Sequence, residues 1–111
     1  MGWDKLKELT GEGMSVGGHS NGHIAFSDLE PEEQRCDLSA CYTSLRANLS
    51  KIEPLPFCYP YGKAPSLSYS TPQYVEESGF SSAVTTIPGW NSPKSNPFML
   101  NRVDTNDIQN F

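Results

Sequence analysis

The chain has 111 residues, a net charge of −5 and a pI near 4.8, enough for one small domain with a modest core. Its eight Lys and Arg are scattered, without the basic stripe of a nucleic-acid binder or the polybasic run that docks on anionic membrane. No apolar stretch approaches the roughly 20 residues of a spanning helix, and residues 1–9 are charged and amphipathic, unlike a secretory signal.

Trp3, Leu6 and Leu9 recur at a spacing of three and predict a short helix, stopped by Gly11 and Gly13. Met14 and Val16 alternate with small residues and predict a short strand ending at Gly17-Gly18, where missing side chains let the backbone pass close to a neighbour. Pro31 followed by Glu32 and Glu33 marks a helix start: proline tolerates the first helical position and acidic groups complement the dipole. Leu38, Cys41, Tyr42, Leu45, Leu49 and Ile52 carry that helix forward at 3–4 spacing until Pro54 and Pro56 close it.

Residues 55–59, Leu-Pro-Phe-Cys-Tyr, read as a buried strand, ended by Pro60 and a Tyr61-Gly62-Lys63 loop. A short helix is predicted from near Pro72 to Gly79, then a strand through Phe80, Ala83, Val84 and Ile87. Residues 88–97 are rich in Pro, Gly, Ser and Asn and read as one long loop before a last strand at 98–103. This alternation of helices and strands predicts an α/β fold with a parallel sheet, whose chemistry sits at the C-terminal ends of the strands. Three cysteines, Cys36, Cys41 and Cys58, show no Cys-x-x-Cys spacing and no even count, and read as small buried side chains in a reducing compartment.

Gly17-Gly18-His19-Ser20-Asn21-Gly22-His23 holds both histidines of the chain. A His-x-x-x-His pair supplies two nitrogen ligands to one divalent ion. The glycines argue against the helix of a His-Glu-x-x-His protease, and Ser20 stands where its glutamate would be. Spacing alone leaves two readings open: a metal pair, or two polar loop histidines. A catalytic zinc takes three protein ligands, and no third one stands beside the pair.

Trp3-x-x-Leu6-x-x-Leu9 followed by Gly13-Met14-x-Val16-Gly17-x-His19-Ser20-x-x-His23 resembles the second motif of the NodB-homology polysaccharide deacetylases, carbohydrate esterase family four. Phe57-Cys58-Tyr59-Pro60-Tyr61-Gly62 resembles the Tyr-Pro-Tyr-Gly form of its third motif. Gly79-Phe80, Ala83-Val84-Thr85 and Pro97-Phe98-x-Leu100-x-Arg102 resemble strands near the end of that domain, so the likeness covers nearly the whole chain. It implies one partial domain over residues 1–111: a deformed (β/α) barrel without its first strands. It implies a divalent metal, usually zinc, on His19 and His23, with Ser20 supporting the ligand loop. It implies a backbone N–H at Tyr61 as oxyanion donor, and Tyr59, Trp90 and Arg102 as candidates for contact with an acetylated polysaccharide. For Tyr59 core packing is the favoured alternative.

The family's Asp-Asp segment, which supplies the general base and the third metal ligand, has no counterpart here, and neither does its Leu-x-His segment. Leu100-Asn101-Arg102 stands in the latter's place, and arginine does not give up a proton at neutral pH. The expectation is a metal-dependent deacetylase that is weak or inactive as this chain alone, with an exposed sheet edge open to self-association. The alternatives are a non-catalytic carbohydrate-binding or interaction module on the same fold, and a small α/β domain of unrelated function. The family often works at the cell envelope or outside the cell, and this chain carries no signal for either.

Overall fold

The structure, a computed structural model, describes residues 1–49 and 54–110. Helix α1 spans Trp3–Gly11 and α2 spans Pro31–Asn48. Strand β1 is Pro56–Cys58, α3 is Thr71–Glu77, β2 is Ser82–Pro88 and β3 is Leu100–Arg102. Short 3-10 turns lie at Phe26–Asp28, Ala64–Ser66 and Thr105–Asn110. The three strands form an open parallel sheet in the order β1-β2-β3, so the predicted parallel α/β organisation is observed.

Two expectations change. The strand expected over residues 14–18 shrinks to one bridge, Gly18 to Phe57, in which the Gly18 N–H donates to the Pro56 carbonyl and the Cys58 N–H to the Gly18 carbonyl, each at 2.8 Å. Pairing on one side only, through glycines of low strand propensity, does not hold a longer ladder. Of the cysteines only Cys41 is buried; Cys36 is exposed and Cys58 half-buried, and all three are free thiols. Burial raises the Cys41 pKa, with hydrogen bonding from the His19 and Ser20 backbone opposing it and the Asp37 charge adding to it.

Helix α2 starts at a capping box: the Glu30 side chain accepts from the backbone of Glu33, and the Glu30 N–H donates to Glu33 Oε1 at 3.0 Å. Its buried residues Gln34, Leu38, Cys41 and Leu45 form one stripe. Ile52, expected to continue that stripe, lies outside the described residues. The stripe packs with Val75 of α3 and Phe80 against Phe57 and Ala83, register partners on one face of the sheet. Pro56, Cys58, Ser82 and Val84, on the other face, are only half-buried. The helices therefore cover one side, and the second side stays open.

Gln34 is the polar centre of this core. Its Nε2 donates to the carbonyls of Phe26 and Leu29 at 3.0 and 3.1 Å, and the fully buried Thr71 hydroxyl donates to its Oε1 at 2.7 Å. One side chain thus ties α2 to the turn before it and to the start of α3.

Tyr59 is 1% exposed and its hydroxyl donates to the Phe98 carbonyl at 2.7 Å. It belongs to the core, which corrects its candidacy for a sugar groove. Burial raises its pKa well above the ordinary value of 10.0. The neutral phenol is the form that fits the fold, so its stabilisation is complete below about pH 10 and is lost as pH rises beyond. Tyr59→Phe should cost about 1 kcal/mol near neutrality and should blunt the loss of stability above pH 10. Urea melts of both proteins at pH 8 and pH 11 check this.

Candidate metal centre

Glycines bring the ligand loop to the sheet. A Cβ on Gly17 would stand 2.8 Å from the Pro56 carbonyl oxygen, and one on Gly18 would stand 2.8 Å from the Phe80 ring and 3.0 Å from Cys41 Sγ. With bare Cα atoms the chain lies flush on β1 and turns into the loop at His19.

His19 Nδ1 lies 2.8 Å from the Cys58 carbonyl oxygen. A carbonyl only accepts, so Nδ1 carries the proton, and in the neutral ring Nε2 presents its lone pair. His23 Nε2 stands 3.2 Å from His19 Nε2, with ring centroids 4.9 Å apart at 62°. Such a contact is held by one proton on His23 Nε2, or by a cation shared between two bare nitrogens. Two imidazole nitrogens about 2.0–2.1 Å from one tetrahedral ion stand about 3.3–3.4 Å apart. The observed separation fits that donor pair, and the carbonyl behind His19 is the outer partner that metal-bound histidines use to fix tautomer and orientation. Among the described residues no group of three or more His, Cys, Asp or Glu converges on a metal position.

The loop is strained at defined places. Among the described residues, the only non-glycine residues with positive φ are Ser20 (71°), His23 (53°) and Tyr61 (65°). All three are at this site, and such strain collects where the surrounding structure enforces a functional geometry. The Ser20 hydroxyl accepts from the His23 N–H at 2.8 Å, a supporting role in keeping with its reading from the sequence. Asp37, on α2, accepts from the N–H groups of Asn21 (3.0 Å to Oδ1) and Gly22 (2.8 Å to Oδ2). Asp37 was invisible as a site residue in the sequence, because its partners are backbone groups that no residue type announces.

Tyr61 sits on the turn after β1. Its ring lies 5.1 Å from that of His23, and its hydroxyl reaches the His23 carbonyl at 3.5 Å. Thr86 clips this turn to β2: its N–H donates to the Gly62 carbonyl at 2.9 Å and its hydroxyl to the Tyr61 carbonyl at 3.0 Å. Gly62 has φ 71°, and a Cβ there would meet the Thr86 nitrogen at 2.8 Å.

Arg102, at the end of β3, donates to Cys58 Sγ at 2.8 Å, which puts its guanidinium beside the residue whose carbonyl anchors His19. Trp90 follows the C-terminal end of β2 and is 69% exposed. Its neighbour Asn91 exchanges two hydrogen bonds with Asn101, at 2.9 and 3.0 Å, and Asn101 Nδ2 donates to the Trp90 carbonyl at 3.2 Å. The structure thus brings His23 into contact with both His19 and Tyr61 and sets Arg102 on the Cys58 side chain. Trp90 stands on a pinned loop at the strand ends, and Tyr59 is excluded.

An open parallel sheet with paired imidazoles at the C-terminal end of β1 defines an α/β protein with a candidate metal centre. The family model described as polysaccharide deacetylase matches residues 1–82, and the chain belongs to that family. It is 27% identical over 100 residues to YxkH of Bacillus subtilis (strain 168), a protein assigned to the polysaccharide deacetylases, covering 90% of this chain and 34% of YxkH. Among solved structures, the Streptococcus pyogenes deacetylase PplD in complex with acetate superposes with a TM-score of 0.83 at 23% identity, over 93% of this chain and 44% of that one. IcaB from Ammonifex degensii superposes with a TM-score of 0.74 at 25% identity, over 96% of this chain and 49% of the other. The chain therefore spans about half or less of the length of the relatives it matches.

Proposed function

We propose that this chain carries the two-histidine half of a metal-dependent polysaccharide deacetylase site and, alone, releases acetyl groups weakly or not at all. The observation that carries the reading is the convergence of His19 Nε2 and His23 Nε2 at 3.2 Å with His19 Nδ1 anchored on the Cys58 carbonyl. Family membership supports the acetylated polysaccharide as substrate class, and PplD was solved with acetate bound.

His19 and His23 would hold the metal, zinc first among candidates. Bound there, it would polarise an acetyl carbonyl and lower the pKa of a water. The remaining work falls to the chain's own groups. The Cys58 carbonyl keeps the His19 lone pair turned inward. The strained Tyr61 turn offers its backbone N–H as a fixed donor to the oxygen that gains charge during acyl transfer, where preorganised donors contribute most. Arg102 is a fixed positive charge close by, and Trp90 offers a flat apolar face to a sugar ring. No third His, Cys, Asp or Glu joins the pair in a metal-holding group among the described residues, so low activity is the expected state of this chain.

The test is a zinc titration against a competing chromophoric chelator, with acetate release from an N-acetylglucosamine oligomer followed in parallel. Saturable one-to-one binding should be seen in the wild type and lost in His19→Ala and in His23→Ala, with acetate release near background. A folded wild-type protein that binds no zinc, or binds it equally after both substitutions, overturns the metal reading. Vigorous metal-dependent acetate release overturns the half-site reading. Oligosaccharide binding that survives both chelator and His19→Ala would favour a non-catalytic carbohydrate-binding module.

A further inference from the structure

We infer that Asp37 is the positioning residue of the histidine pair: its carboxylate fixes the peptide segment between the two imidazoles, and this sets the convergence of their Nε2 atoms. The effect on metal affinity rests on the reading just given; the effect on the loop does not.

Asn21 and Gly22 are two of the three residues between the histidines, and both of their N–H groups end on the Asp37 carboxylate, one on each oxygen. A charged acceptor taking two consecutive amides fixes direction as well as distance. The approach is close enough that a Cβ on Gly22 would stand 3.4 Å from Asp37 Oδ2. On either side of this clamped segment, Ser20 and His23 hold positive φ, a state that side-chain-bearing residues leave when nothing holds them. The hydrogen bond that the His23 N–H donates to the Ser20 hydroxyl is internal to the loop and does not tie the loop to the fold. Asp37 does tie it. The carboxylate sits on α2 beside Leu38, which is fully buried, and one turn from Gln34, which is 2% exposed, so its anchor point is part of the core.

With both carboxylate oxygens engaged by amides, and no three-residue ligand cluster among the described residues, the geometry assigns Asp37 to orientation, not coordination. The mechanical consequence concerns His19 first. Its Nδ1–H tautomer depends on the ring meeting the Cys58 carbonyl at 2.8 Å, and a loop released at Asn21 and Gly22 lets that ring swing away.

Asp37→Asn is nearly isosteric but keeps only one acceptor oxygen, so one amide faces an NH2 group. Three readouts are needed: zinc affinity by chelator competition, the thermal midpoint, and nitrogen-15 spectra of the metal-free protein covering the imidazoles and the Asn21 and Gly22 amides. The expected result is zinc affinity lowered by about 10- to 100-fold, loss of the Nδ1–H tautomer signature at His19, and upfield movement of the two amide protons. Gln34→Leu supplies the control. It should melt at a lower temperature than Asp37→Asn, yet keep wild-type zinc affinity and imidazole spectra when measured well below its midpoint. Wild-type affinity and imidazole spectra in Asp37→Asn overturn the inference, as does an equal loss of affinity in Gln34→Leu. If the wild type binds no zinc, the metal reading fails, and the imidazole and amide spectra still decide whether Asp37 sets the loop.

Discussion

Gln34→Leu is expected to remove about 3 kcal/mol of stability, because it deletes three side-chain hydrogen bonds of one buried residue at about 1 kcal/mol each. The carbonyls of Phe26 and Leu29 lose their Nε2 donor, and the Thr71 hydroxyl loses its acceptor in a position with no exposure. Ser68 softens the loss without cancelling it, since its hydroxyl lies 2.7 Å from Thr71 Oγ1 and 3.4 Å from Gln34 Oε1. Leucine matches the shape and satisfies none of these groups. For a domain of this size the loss corresponds to a drop of about 12–20 °C in the unfolding midpoint, measurable by calorimetry. A change of under 1 kcal/mol would mean that water enters this corner of the core and that Gln34 is not its anchor.

Gly18→Ala is the second large effect, expected at about 2–3 kcal/mol. The added methyl would lie 2.8 Å from Phe80 Cε1 and 3.0 Å from Cys41 Sγ. The Phe80 ring is 3% exposed, packed 5.0 Å from the Phe57 ring and edge-on to Tyr42 at 5.4 Å, so it has no room to yield. Relief must come from the loop side, by lifting Gly18 off Pro56 and carrying His19 away from the Cys58 carbonyl. Stability and histidine geometry should therefore fall together, unlike the split expected between Gln34 and Asp37. A double-mutant cycle with Phe80→Leu checks the cause. If the ring is the obstacle, the pair should destabilise by clearly less than the sum of the two single changes.

Much of the architecture was legible because it rests on local rules. The 3–4 spacing of Leu38, Cys41 and Leu45 and the Pro-Glu-Glu start describe α2 well; the structure adds that the capping box begins at Glu30 and that the helix stops at Asn48, with Leu49, expected inside it, as its non-helical cap. The parallel arrangement followed from alternating elements and is found in β1, β2 and β3. The misses have a common origin in partners distant along the chain. Residues 14–18 looked like a strand, but strand length depends on neighbours, and one parallel partner at Gly18 sustains only a bridge. Tyr59 was a groove candidate with core packing the favoured alternative, and the Phe98 carbonyl holds it in the core. Cys36 looked buried by type, but it falls on the exposed side of α2. Within the site, His19, His23 and Tyr61 stood out by residue type and motif. Asp37 did not, since its role is to meet two amides that any sequence would supply.

The way the ligand loop is held has a consequence for the order of folding. Its stabilising groups come from Asp37, 15 and 16 residues from the amides they meet, and from the Cys58 carbonyl, 39 residues from His19. In zinc fingers the ion and its nearby ligands organise a chain that has little structure without them. Here the contacts that hold the imidazole loop come from α2 and β1, so the pair is expected to converge only once those elements have docked. A metal arriving early would meet two unrelated side chains on a mobile segment. Its capture would then proceed at a rate set by the completed fold, and its removal would leave the helix and sheet packing in place.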